Sequence, residues 1–267
     1  MTTIREQSTP SDPPTTDSRF RLDDRVAIVT GASSGLGARF AGVLHGAGAT
    51  VVATARRVDR LDRLAAEHER VDAHGCDIAD TAQIDALIEA VLRQHGRIDI
   101  VVNNAGTSDT ADALSQDDEE FEQVLAVNLV APYLVSKRAA RAMVAAEQPG
   151  SIVNVASILG LRGSPVAMQT GYAASKGAVV NMTRSLAAQW AGYGIRVNAL
   201  APGWFESEMT ADMFANDGAL KWAVRRTPMG RTGRPGELDG ALLLLAGDAG
   251  SFITGQTLVV DGGWCAV

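Results

Sequence analysis

Little in this chain favours a metal, a disulfide framework, a membrane or a nucleic acid. Its 267 residues include two cysteines, Cys76 and Cys265, and four scattered histidines, His45, His68, His74 and His95. Two lone thiols make no disulfide framework or metal-ligand pattern and suit a reducing cytoplasm, so no metal site is expected. No apolar run reaches the ~20 residues of a membrane span. A formal net charge of −7 argues against a nucleic acid or an anionic membrane as partner. The length suits one well-buried α/β domain and is too short for two of ordinary size.

Residues 1–21 are rich in Ser, Thr, Pro and Asp, and Pro10, Pro13 and Pro14 break any regular pattern. They lack the basic start and apolar core of a secretory signal and are expected to form a flexible tail. From 22 to 267 the chain reads as one domain. Apolar strand runs at 26–30, 50–54, 71–76, 98–102, 151–156, 195–200 and 256–260 alternate with helical spacing, clearest over 81–95, 118–146 and 173–191. This alternation predicts an α/β fold, a doubly wound parallel sheet of about seven strands with helices on both faces.

Two segments carry the chemistry. The first is Thr30-Gly31-Ala32-Ser33-Ser34-Gly35-Leu36-Gly37, set between the strand 26–30 and a helical run. Glycines at such a turn let backbone approach a pyrophosphate, and the helix N-terminus adds N–H donors and positive potential. The second is Tyr172-Ala173-Ala174-Ser175-Lys176. On a helix the phenol and ammonium share one face, with Cβ atoms ~5–6 Å apart. A lysine cation there is expected to favour the tyrosinate and draw the phenol pKa toward neutrality. Ser157, at the carboxyl end of the strand 151–156, supplies a hydroxyl able to polarise a substrate carbonyl.

Taken with Asn103-Asn104-Ala105-Gly106, Asn128 and Pro202-Gly203, these motifs resemble the classical short-chain dehydrogenases/reductases from about Leu22 to Asp261-Gly262-Gly263. The resemblance implies a Rossmann-type fold and a nicotinamide-dependent carbonyl/alcohol oxidoreductase. It implies that Tyr172 is the acid/base, with Lys176 also anchoring the nicotinamide ribose and Asn128 holding a water linked to Lys176. The positive charge of oxidised nicotinamide would lower the phenol pKa further. It places the cofactor on Gly31, Ser33, Ser34, Gly35, Leu36 and Gly37, on Asp77 and Ile78 near the adenine, and on Asn104, Ala105 and Gly106. Pro202, Gly203, Phe205 and Ser207 would meet the carboxamide end, Ser207 replacing the family's Thr.

After the second strand come Ala55, Arg56 and Arg57. The family's NAD-selecting acid stands where Ala55 is, so the ribose hydroxyls lose their carboxylate acceptor. Arg56 can pair with a 2′-phosphate through its planar fork, or both arginines simply open a solvated helix. Ser34 stands where many NADP-using relatives have a second basic residue. NADP is therefore expected as the preferred cofactor, with NAD still possible. Asp77 could also cap the helix near Thr81. The acidic run 117–120 fits a helix first turn, where it complements the dipole.

Segments 107–113, 158–169 and 204–225 are expected to line the substrate pocket. Leu159, Met168, Trp204, Met209, Met213, Phe214 and Trp222 would give it apolar walls suited to a medium-sized apolar ketone or alcohol. The alternative is a 3-oxoacyl-carrier-protein reductase, against which stands the lack of basic residues in Ala145-Ala146-Glu147-Gln148 and Gly192-Tyr193-Gly194. An alternative of another class, a non-catalytic dinucleotide-binding sensor, has no need of the Ser157, Tyr172 and Lys176 set. The four-residue Tyr–Lys spacing argues against an enoyl reductase. Apolar residues Val179, Val180, Met182 and Leu186, beyond one core stripe, and the family's habit predict a homotetramer, with a dimer as fallback.

Overall fold

A computed structural model of the chain describes residues 17–109, 111–164 and 168–267. Most of the expected tail, 1–16, lies outside the described residues, and Asp17–Phe20 form a 3-10 turn. Seven strands, β1 (Val26–Thr30), β2 (Thr50–Ala55), β3 (Val71–Gly75), β4 (Ile100–Asn103), β5 (Gly150–Val155), β6 (Ile195–Pro202) and β7 (Thr257–Val260), form one sheet in the described residues. Their order is β3-β2-β1-β4-β5-β6-β7, and each neighbouring pair is parallel. The order reverses between β1 and β4, which opens a crevice at the carboxyl ends of these strands.

The strands are short apolar runs because both faces of the sheet are covered. On one face lie α1 (Gly35–Gly46), α2 (Val58–Glu67) and, after the chain has passed the site, α9 (Asp239–Ala246). Phe40, Leu44, Leu61, Leu242 and Leu245 from these helices pack with Val29, Val51 and Val153. The other face carries α3 (Thr81–His95), α5 (Ala131–Ala145) and α6 (Thr170–Trp190), through Ile84, Leu87, Val135, Met143 and Leu186. Asp80 caps α3, accepting from Ala82 N–H at 2.8 Å and Gln83 N–H at 3.3 Å. The cap considered for Asp77 thus falls to Asp80, and Asp77 accepts from Ala79 N–H instead.

The helix expected over 118–146 is broken. It runs as α4 (Asp118–Leu125), a π-helical turn (Ala126–Val130) and α5. The turn swings Asn128 inward, where its amide is buried and tied to the backbone of Thr107 in both directions at 2.8 Å. An inserted residue of this kind is common at functional sites. The acidic run does start α4, with Asp118, Glu119 and Glu120 in the first turn. Inside the sheet, the Asn103 amide donates to Asn154 Oδ1 and Ser136 Oγ at 2.8 Å, and Asn154 donates onward to Thr183. These bonds pair the buried amide donors of Asn103 and Asn154 where β4 meets β5, while Asn103 Oδ1 has no partner among the described residues.

Candidate active site

A cavity of about 800 Å³ follows the carboxyl ends of the strands. Every residue expected to hold the cofactor lines it, as does Ser157, while Asn128 stands behind its wall. One end of the cavity is built at the β1–α1 turn. Gly31 has φ +68, and a Cβ there would lie 2.7 Å from Ala105 Cα; at Gly37 it would collide with the Gly31 carbonyl. The glycines therefore let β1, α1 and the Asn104-Ala105-Gly106 loop close on one another. Thr30 Oγ1 accepts from Asn104 and Ala105 N–H at 3.0 Å and fixes that loop. Ser34 precedes α1 without capping it, so the helix keeps first-turn N–H groups beside the cavity with no side-chain acceptor. These features fit a dinucleotide pyrophosphate.

Ser157 projects beyond β5, caps the short turn Ile158–Gly160 by accepting from Leu159 N–H at 3.1 Å, and faces the Tyr172 phenol, whose ionised form it favours. One turn along α6 from Tyr172, the Lys176 ammonium is buried, donates to Val155 O at 2.7 Å and lies 5.5 Å from the Tyr172 ring centroid. Asn128 donates to Ser175 Oγ at 3.0 Å, which ties the π-helical turn to the same helix. Behind Gly106, a Cβ would sit 3.2 Å from Asn128 Oδ1 and 3.7 Å from Lys176 Nζ, so these two polar groups share one small space.

The charge balance differs from expectation. Burial pushes the Tyr172 phenol above its ordinary value, with the Ser157 hydroxyl acting the other way. Burial also brings the Lys176 ammonium down to about 8. The tyrosinate-stabilising role expected of Lys176 is therefore outweighed, in the protein alone, by the loss of solvent around both groups. Each is driven toward its neutral form, and the phenol is set as a proton donor.

The family described as enoyl-(acyl carrier protein) reductase matches residues 31–265. The 3-oxoacyl-(acyl-carrier-protein) reductase of Thermotoga maritima is 39% identical over 248 residues, 91% of this chain and 99% of its own. The chain belongs to the classical short-chain dehydrogenase/reductase family. The A-factor type gamma-butyrolactone 1′-reductase (1S-forming) of Streptomyces virginiae is 40% identical over 256 residues, covering 93% of this chain and 98% of its own. The solved structure of a gluconate 5-dehydrogenase from Burkholderia cenocepacia, in complex with NADP and tartrate, superposes with a TM-score of 0.90 at 37% identity, covering 95% of this chain and 100% of that one. This short-chain dehydrogenase/reductase is thus an NAD(P)-dependent oxidoreductase acting on CH–OH and C=O groups.

At the adenosine end, the arginine with polar contacts is Arg57. It donates to Ser33 Oγ at 3.1 Å and to Ser34 Oγ and Glu208 Oε2 at 2.8 and 2.9 Å. Arg56 lines the cavity without a hydrogen bond or ion pair among the described residues. Arg60 also pairs with Glu208, and Arg60, Arg57 and Ser34 together hold that carboxyl down to about 2.

At the substrate end, Leu159, Met168, Trp204, Met209, Met213 and Trp222 line the cavity, and Phe214 does not. Buried Trp264, from the C-terminal turn, backs the wall without lining the cavity, its ring 6.0 Å from Trp204 and 6.4 Å from Trp222, all three edge-to-face. Apart from Lys176, no lysine or arginine lines this end among the described residues.

Sequence reasoning missed Trp264, Glu208 and Asp109. Buried Asp109 accepts from Gly171 N–H at 2.8 Å and Tyr172 N–H at 3.0 Å, capping α6, and takes Gln116 Nε2 at 2.5 Å. The only local signal for Asp109 was an acid close behind Asn-Asn-Ala-Gly, and the helix N–H groups it caps lie 62 and 63 residues away. Nothing local marked Glu208 or Trp264.

Proposed function

We propose that this enzyme is an NADP-preferring oxidoreductase that interconverts a ketone and a secondary alcohol on a medium-sized, largely apolar substrate. The observation that carries the substrate class is the tryptophan and methionine wall, unaccompanied by a cation that would receive a carboxylate. A polyol or sugar acid would leave polar groups unpaired against that wall.

When bound, the nicotinamide supplies hydride chemistry at the substrate carbon. Tyr172 gives a proton to the substrate oxygen in reduction and takes it back in oxidation. Ser157, beside the same phenol, polarises that oxygen. Lys176 holds the nicotinamide ribose, and Asn128 holds the water that links Lys176 to solvent. Gly31, Gly35 and Gly37 admit the pyrophosphate, and Leu36 lies over it at the start of α1. Asp77 and Ile78 hold the adenine. Asn104, Ala105 and Gly106 border the ribose. Pro202, Gly203, Phe205 and Ser207 meet the carboxamide.

NADP preference rests on Ala55, which offers no acceptor for the ribose hydroxyls, and on the Ser33, Ser34 and Arg57 cradle with Arg56 beside it. The NADP bound in the gluconate 5-dehydrogenase relative agrees with this reading. The enzyme acts as a homotetramer in the cytoplasm. Among the described residues no helix is long and apolar enough to cross a membrane.

Turnover over a panel of apolar ketones, sugar acids and 3-oxoacyl thioesters, with both cofactors, tests the assignment. Highest kcat/KM on an apolar ketone with NADPH is expected. Highest kcat/KM on a 3-oxoacyl carrier protein would move the enzyme to the role of its Thermotoga maritima relative, and the absence of any turnover would make it a binding protein.

A further inference from the structure

Glu208 belongs to the segment that follows β6 and walls the substrate, yet its carboxylate lies at the opposite end of the cavity. It is held there by Arg57, Arg60 and Ser34, with Arg57 also on Ser33. Both arginines sit on the chain just after β2, Arg57 preceding α2 and Arg60 within it. Ser33, Ser34 and Arg57 are also the cradle assigned above to the 2′-phosphate, with Arg60 added only as a partner of Glu208. Glu208 is thus a tethered anion in an anion site, and it lies four residues beyond Trp204 and immediately after Ser207.

Resting on the NADP reading, we propose that Glu208 is a specificity-determining residue: its carboxylate occupies the 2′-phosphate cradle, competes with NADP but not with NAD, and ties cofactor choice to the substrate wall. A phosphate dianion and a carboxylate cannot share Arg57 without like-charge repulsion, so NADP must displace Glu208. NAD brings a hydroxyl to that place and leaves the Arg57–Glu208 pair intact. Release of Glu208 removes one tether from the segment that carries Trp204, Met209, Met213 and Trp222 along the substrate end, while the Thr210 bonds and the Phe205–Gly233 bridge stay in place. The side chains of Arg57, Arg60 and Glu208 are 43%, 37% and 51% exposed, so the competition is modest and weakens with salt.

The test is the affinity of the full chain for NADP, NAD and adenosine 2′,5′-bisphosphate, in wild type and in the Glu208→Gln, Arg57→Ala and doubly substituted variants. E208Q keeps the side chain's shape and removes its charge. It is expected to tighten NADP and the bisphosphate about three- to five-fold, leaving NAD within about two-fold. The gain should vanish when Arg57 is already Ala. Tryptophan fluorescence gives a second readout: the bisphosphate should perturb it in wild type, whereas 5′-AMP should not. If R57A weakens NADP but E208Q leaves it unchanged or weaker, the competition is wrong and the cofactor reading stands. If R57A leaves NADP unchanged, the cofactor reading falls and this inference with it.

Discussion

Asp109 holds the first turn of the helix that carries Tyr172: its buried carboxylate accepts the Tyr172 N–H at 3.0 Å and the Gly171 N–H at 2.8 Å. The loop after β4 thereby sets the height of the phenol over the cavity. A carboxylate here both satisfies orphan N–H groups and complements the helix dipole. Asp109→Ala is expected to lower kcat about ten- to a hundred-fold with cofactor affinity within about three-fold, because small displacements of a reacting group are costly. Asp109→Asn, which keeps one acceptor oxygen, should recover part of the loss. Steady-state kinetics beside cofactor titration separates this from simple unfolding, which would lower both together.

Tyr172→Phe is expected to reduce kcat by at least about a hundred-fold and leave cofactor affinity within a few-fold. The substitution removes the transferable proton and keeps the ring against Lys176. A variant retaining more than a few per cent of wild-type kcat would take the acid/base role away from Tyr172.

Lys176 makes stability depend on pH in a defined window. Its ammonium falls from 10.5 to about 8 on folding, so between these values the unfolded chain binds the extra proton and stability rises with pH. The cost of charging the buried group is complete below pH 8 and reaches ~3 kcal/mol at most. Tyr172 works oppositely above pH 10, where the unfolded chain loses a proton that the folded phenol keeps. Lys176→Met should therefore be stabilising relative to wild type at pH 7, and the difference should shrink between pH 8 and 10. Urea midpoints across that range measure it. A constant difference would mean that burial does not shift this lysine.

Ala55→Asp should move the kcat/KM ratio toward NAD by about tenfold, since it restores an acceptor for the ribose hydroxyls and repels a 2′-phosphate. Arg57→Ala should weaken NADP more than Arg56→Ala does, because Arg57 has the Ser33 and Ser34 contacts. An equal effect of the two substitutions would remove the cradle's role.

Light scattering at micromolar concentration should give four times the mass of the chain. Val179, Val180 and Leu186, expected to lie beyond the core stripe of their helix, are buried in the chain's own core with Met182 packed against it, so they offer no surface to a partner. Val130 and Tyr133, near the start of α5, and Val144 near its end leave apolar surface exposed on the single chain instead. A monomeric mass would exclude the tetramer.

Much of this protein is local in origin. A strand, a glycine turn and a helix are specified by neighbouring residues, so the parallel sheet, the glycine turn before α1 and the Tyr172–Lys176 pair could be read along the chain. The break at Asn128 could not, because it depends on Thr107 backbone groups 21 residues away. The same holds for the acid that caps α6 and for the carboxylate that reaches the adenosine end. Tertiary structure also decided which arginine faces the serines, since Arg56 and Arg57 are adjacent and only the exit of the chain from β2 separates their directions. It reversed one electrostatic expectation as well. The i, i+4 spacing correctly put Lys176 beside Tyr172, but only the packed fold determines how much water remains around them. In the protein alone, burial is the dominant cause for both groups and moves each toward its neutral form.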